Sequence, residues 1–191
     1  MDFRQRLFKS RGYTPIPFIL VMIIIANPTL ISLATGFCIV VAGESIRLWG
    51  VAIAGSETRT TGPVGGTFLI TRGPFSYVRN PLYVGNILMY VGVGIMSNAV
   101  SLALAALVYF LWQYSLIVSL EEEYLVETFK DEYIRYCRSV PRFFPSTRKY
   151  PEGTNPQPDL DMKRGVVSEK RTLQAIVLLT VVLIILWRVR G

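Results

Sequence analysis

Apolar stretches at 16–26, 29–54, 81–96, 100–120 and 172–187 dominate this chain, and most of them approach the length of a membrane-crossing helix. A bilayer core takes about 20 residues of helix, and only helices or closed barrels satisfy their backbone groups there. With 191 residues, 51% hydrophobic and 17% charged, the chain is too apolar for an ordinary soluble domain of its size. The expected fold is all-α: a multi-pass membrane protein with a four-helix transmembrane core and a fifth, C-terminal helix. The first run, 16–26, is short. It reads as a helix starting near Tyr13 that forms a hairpin with 29–54 through the turn at Asn27-Pro28, or else as a re-entrant segment. A basic segment precedes it, but no small-residue cleavage site follows as a signal peptide would require.

The charges orient these helices. Arg4, Arg6, Lys9 and Arg11 precede the first run; Arg59, Arg72 and Arg79 lie in the 55–80 loop, and ten bases fall within 121–171. The opposite turns, at Asn27-Pro28 and Ser97-Asn98, hold none. The positive-inside bias therefore places the N-terminus, the 55–80 loop and the 121–171 segment in the cytoplasm. An inner cell membrane is the expected location, and both polar segments then meet at one face. The net charge of +7 is spread along the flanks of apolar runs, which suits anionic head groups and not nucleic acid.

Other chemistries are bounded by what is missing. There is no histidine, and the two cysteines, Cys38 and Cys137, form no disulfide framework. Histidine-dependent hydrolysis and ordinary metal sites lose their usual ligands and bases. No metal is expected. The glycines between 62 and 66 follow no strand, so they read as a flexible loop and not as a nucleotide-binding fingerprint.

Two polar segments remain. In Arg72–Gly85, RGPFSYVRNPLYVG, Pro81 suits a first helical turn and Asn80 its N-cap. That N-terminus would present free N–H groups beside Arg79, Phe75 and Tyr83. In the second segment, Glu121, Glu122 and Glu123 follow directly on an apolar run. Successive helix positions are about 100° apart, so at least one carboxylate points toward the bundle and needs a partner. A solvated acidic collar paired with Arg79 or Arg135 is the alternative. Beyond it, Leu125, Phe129, Tyr133 and Cys137 recur every four positions as far as Val140, continuing the helix out of the membrane. Glu44 and Arg47, three apart, share a face; Arg47 and Trp49 suit an interfacial anchor.

Taken together, these residues resemble the isoprenylcysteine carboxyl methyltransferase and phospholipid methyltransferase superfamily. The lead-in is Leu69, Gly73 and Phe75; the centre is Arg79-Asn80-Pro81-Leu82-Tyr83-Val84-Gly85. The second half is Glu121-Glu122 with Leu125, then Phe129, Tyr133, Tyr136, Val140 and Pro145. The resemblance covers roughly 47–145. It implies a membrane methyltransferase-like domain over 1–145, followed by a polar linker, 146–171, and a C-terminal helix, 172–191, about which it says nothing. It also implies a helical S-adenosylmethionine pocket at the cytoplasmic face. Cofactor contacts would come from Thr67, Phe68, Leu69, Ile70, Phe75, Asn80, Pro81, Leu82, Tyr83, Glu121 and Glu122, with Arg79 and Glu121 as the essential pair.

Three positions depart from the superfamily pattern. Asn80 replaces a histidine, which excludes a proton relay there, and Lys130 replaces a glycine. Ile117 stands where the prenylcysteine enzymes bear a substrate-binding arginine, which counts against a prenylcysteine carboxylate acceptor. The implied activity is methyl transfer from S-adenosylmethionine to a membrane lipid or amphipathic acceptor that slips in from the bilayer between the 81–96 and 100–120 helices. The competing expectations are an NADPH-binding, sterol-reductase-like membrane enzyme and a non-catalytic lipid-binding module.

Overall fold

The computed structural model describes residues 3–55, 69–151 and 157–190. Among these residues the fold is entirely helical: α1 (Phe3–Ser10), α2 (Pro15–Ile24), α3 (Leu30–Ala54), α4 (Pro81–Met96), α5 (Val100–Ser139) and α6 (Met162–Arg190), with a 3₁₀ turn at Gly73–Ser76 before α4. Three helices, α3, α5 and α6, are long and apolar enough to cross a membrane; α1 and α2, bent by 53°, make a fourth candidate as one broken span. The chain is thus a multi-pass helical membrane protein by length and composition.

Local chemistry sets the helix ends. Thr29 and Ser32 form a reciprocal capping box at the start of α3, with the Ser32 N–H donating to Thr29 Oγ1 at 3.1 Å and the Thr29 N–H to Ser32 Oγ at 2.9 Å. Asp161 Oδ1 accepts the Arg164 N–H at 2.9 Å at the head of α6. Lys130 interrupts α5 with φ 44° and ψ −122°, which kinks its polar end. The helix does continue past the acidic cluster, but bent.

The α3–α4 pair is the spine of the bundle. A Cβ on Gly43 would lie 2.7 Å from the Gly85 carbonyl oxygen, and one on Gly85 would lie 2.6 Å from the Gly43 carbonyl oxygen. Small residues at both positions let the backbones touch, the usual device for close helix packing in lipid. The main core gathers Met22, Val40, Met96, Phe110, Ile117 and Leu183 from α2 to α6.

Two helices extend beyond the apolar runs of the sequence. The basic N-terminal arm is a helix, α1, which buries Phe8 and packs on α5. The last helix begins at Met162, ten residues before 172. Its first turns look like linker because they are charged, yet Gly165 and Glu169 are buried against α3.

Candidate functional site

The segment before α4 is bolted to the segment after α5 by backbone bonds. The Arg79 N–H donates to Pro141 O at 2.9 Å, Ser146 N–H to Tyr77 O at 2.8 Å, and Tyr150 N–H to Ser76 O at 2.9 Å. The Tyr136 hydroxyl donates to Phe75 O at 2.6 Å. Beneath these bonds Leu69, Tyr133, Tyr136 and Val140 form a small core of their own. Asn80 occupies the N-cap position, but its side chain makes no cap bond. Its Nδ2 instead donates to Arg142 O at 3.1 Å, so it latches the two segments together. Pro81 opens the helix as expected.

The three consecutive glutamates divide their partners by direction. Glu121 accepts from the Tyr83 hydroxyl at 2.7 Å. Glu122 pairs with Arg79 at 2.9 Å and takes both the Nε and Nη2 of Arg142. Glu123 faces α1 and pairs with Arg4 at 2.5 Å. Rotation of about 100° per residue sends the three carboxylates in three directions: Glu121 and Glu122 reach the cavity between the helices, and Glu123 faces α1. Arg79 also donates to Cys137 Sγ at 2.6 Å. Burial is the largest influence and works against the Arg79 cation, but the Glu122 carboxylate together with Cys137 and Tyr133 outweighs it and holds the guanidinium above its ordinary value.

These elements enclose a cavity of about 650 Å³. Leu69, Ile70, Phe75, Arg79, Asn80, Pro81, Leu82, Tyr83, Glu121 and Glu122 all line it, whereas Thr67 and Phe68 lie outside the described residues. Arg79 reaches the cavity wall with its Nη1 committed to Glu122 and Cys137.

A second polar cluster lines the same cavity, and the sequence reading missed most of it. Arg47 turns into the bundle, with a 15% exposed side chain, instead of anchoring at the interface. It pairs with Glu169 of α6 at 2.8 Å and with Glu44 at 3.7 Å, and donates to Asn86 Oδ1 at 2.6 Å. Asn86 in turn donates to the Tyr114 hydroxyl at 3.3 Å, and Thr172 donates to Glu169 at 2.8 Å. The Glu44–Arg47 spacing was the available signal. Nothing in that spacing says that α6 delivers the second carboxylate.

Chemically, the cavity offers a carboxylate held by a phenol, a helix N-terminus, aromatic walls and an internal ion-pair network. That describes a helical membrane protein with a polar-lined cavity inside its bundle. The chain belongs to the phospholipid methyltransferase family, whose profile matches residues 31–132. It is 32% identical over 105 residues to the cobalt-zinc-cadmium resistance protein CzcN of Cupriavidus metallidurans, covering 54% of this chain and 44% of that protein. It is 35% identical over 100 residues to the nickel-cobalt-cadmium resistance protein NccN of Alcaligenes xylosoxydans xylosoxydans, covering 52% and 43%. The third relative is the protein-S-isoprenylcysteine O-methyltransferase of Schizosaccharomyces pombe, 40% identical over 79 residues, covering 40% and 33%. The chain therefore spans less than half the length of these relatives. No solved structure matches it.

Proposed function

We propose that this chain transfers a methyl group from S-adenosylmethionine to a lipidic or amphipathic acceptor at the cytoplasmic face of a cell membrane, with its N-terminus on that side. The observation that carries this reading is the Tyr83–Glu121 bond on the wall of one cavity, 2.7 Å long, within the region the family profile covers.

The residues suit the cofactor. The volume, about 650 Å³, lies within the roughly 300–1,000 Å³ typical of small-molecule sites. Tyr83 occupies one of the several acceptor positions of the Glu121 carboxylate, which leaves others for an amino group or ribose hydroxyls. Phe75, Tyr83 and Tyr133 offer aromatic faces to a sulfonium cation. Asn80 and the start of α4 offer N–H groups to a carboxylate.

S-adenosylmethionine supplies an electrophilic methyl on a positively charged sulfur. The chain's part is to bind, align and exclude water. Tyr83 fixes the Glu121 carboxylate, and Glu122 holds Arg79 and Arg142 so that the roof over α4 stays closed. Holding donor and acceptor in line supplies much of the acceleration in such a displacement. Arg79 then acts through Glu122 as a positioning residue. Ile117 is fully buried and aliphatic, so no cation at that position receives an acceptor carboxylate.

Calorimetric titration of the detergent-purified chain with S-adenosylhomocysteine and, separately, with NADPH tests the reading. Binding of the former alone is expected. Binding of NADPH alone favours a reductase, and binding of neither favours a non-catalytic lipid-binding module.

A further inference from the structure

Among the described residues, the exposed part of the cavity lining falls in two places. Among the described residues that line the cavity, only Gly12, Ile16, Arg171 and Ala175 are exposed. Gly12 and Ile16 sit at the junction of α1 and α2; Arg171 and Ala175 sit on α6. On the α4–α5 side, expected from the sequence to admit the acceptor, no described lining residue is exposed. Tyr83 meets Tyr114 in a tilted contact with ring centroids 4.6 Å apart, and Tyr90 meets Phe110 likewise at 4.4 Å.

We infer that the acceptor enters through a lateral opening between α2 and α6, with one of its hydrocarbon chains lying across Ile16 and Ala175. This deepens the proposed methyl transfer and rests on it for the acceptor's fate, but not for the opening itself.

Three observations identify the occupant as a lipid chain. The opening is flanked by outward-facing apolar residues: Leu20, Val21 and Ile24 on α2, and Val177, Leu178 and Val181 on α6, all 44–69% exposed. In a membrane-spanning bundle such faces meet acyl chains. Arg171 is the last charged residue before the apolar run of α6, so it marks head-group level. Ala175 lies one helical turn, about 6 Å, further in, and Ile16 lies at the polar end of the α2 apolar run. Both lips of the opening therefore sit just beneath the head groups, where a chain can bend inward while its head stays near the surface. The Arg47–Glu169 pair fixes α6 against α3 on one side of this gap, and at the far end Arg190 reaches the Ala26 carbonyl at 2.5 Å. α6 is thus a fixed post, lying beyond the residues that the family profile covers.

The test uses the full chain in lipid nanodiscs with a diazirine-bearing long-chain alkyl probe, photolysed and mapped by peptide mass spectrometry. Labelling is expected on α2 and α6 around Ile16 and Ala175. It is expected to be lost in Ala175→Trp and Ile16→Trp but retained in Val189→Trp, which is exposed at the far end of α6 and does not line the cavity. Labelling confined to α4 and α5, or labelling around Ile16 and Ala175 that persists in both blocking variants, overturns the inference. Titration of the same samples with S-adenosylhomocysteine separates the two claims. Retained binding with labelling elsewhere refutes the opening alone, and lost binding in the wild type with the expected labelling refutes the methyltransferase reading alone.

Discussion

The Tyr83 hydroxyl donates to the Glu121 carboxylate across 2.7 Å, which ties the first turn of α4 to the residue that follows the apolar run of α5. Everything proposed for the site depends on these two side chains sharing a wall. Around them, Glu122 and Asn80 hold the polar roof, and the glycine contacts of α3 and α4 hold the floor.

Glu122 joins Arg79 to Arg142 with both arginines on one carboxylate. Removing that carboxylate leaves Arg79 part-buried and unpaired, and breaking such a pair costs on the order of 3 kcal/mol. Glu122→Gln is expected to lower the thermal unfolding temperature in detergent. Arg142→Lys should fall short of wild type, because an ammonium cannot reproduce the two-pronged guanidinium contact. Full rescue by lysine argues against the paired geometry.

Asn80 distinguishes a latch from a cap. A cap would be preserved by Asn80→Ser, because serine caps about as well. The structure assigns the amide to the Arg142 carbonyl instead, and the serine hydroxyl, one bond shorter, falls short of that carbonyl. Asn80→Ser is therefore expected to destabilise as much as Asn80→Ala, by about 1 kcal/mol. Wild-type stability in the serine variant restores the capping role.

Lys130 holds φ at 44° in the middle of α5, a conformation that suits glycine and strains a side-chain-bearing residue. Lys130→Gly is expected to stabilise by about 1 kcal/mol by relieving that strain. Lys130→Ala should not, since its Cβ keeps the penalty. Thermal unfolding of the pair settles the matter: equal midpoints for the two variants contradict the kink.

Gly85→Ala tests the spine. The new Cβ would sit 2.6 Å from both the Gly43 carbonyl oxygen and Arg47 Cγ. Backbone cannot yield cheaply, so overpacking of about 1–3 kcal/mol is expected. Because Arg47 belongs to the cavity wall, ligand affinity should fall together with stability. A variant with wild-type unfolding and binding contradicts the close approach.

The sequence carried the helices and the meeting of the two polar segments, for physical reasons. Apolar runs of membrane length have one stable backbone solution, and the one-sided distribution of Arg and Lys placed the start of α4 beside the acidic cluster. The direction of individual side chains was not legible. Arg47 carries the same residue type whether it snorkels or pairs inward, and its partner Glu169 lies 122 positions away. The start of α6 was hidden for the same reason: MKRGVVSEKR is polar by composition, and only contact with α3 reveals that Gly165 and Glu169 form a buried face. Asn80 was placed at the right turn but given the wrong partner, because the Arg142 carbonyl is a tertiary neighbour that no local pattern records.

The most direct test is calorimetric titration of S-adenosylhomocysteine into the purified full chain and into Tyr83→Phe and Glu121→Gln, with circular dichroism confirming retained helix. Wild-type binding is expected to weaken roughly tenfold in each variant, the loss expected for one charge-assisted hydrogen bond. Undiminished affinity in both folded variants would contradict it.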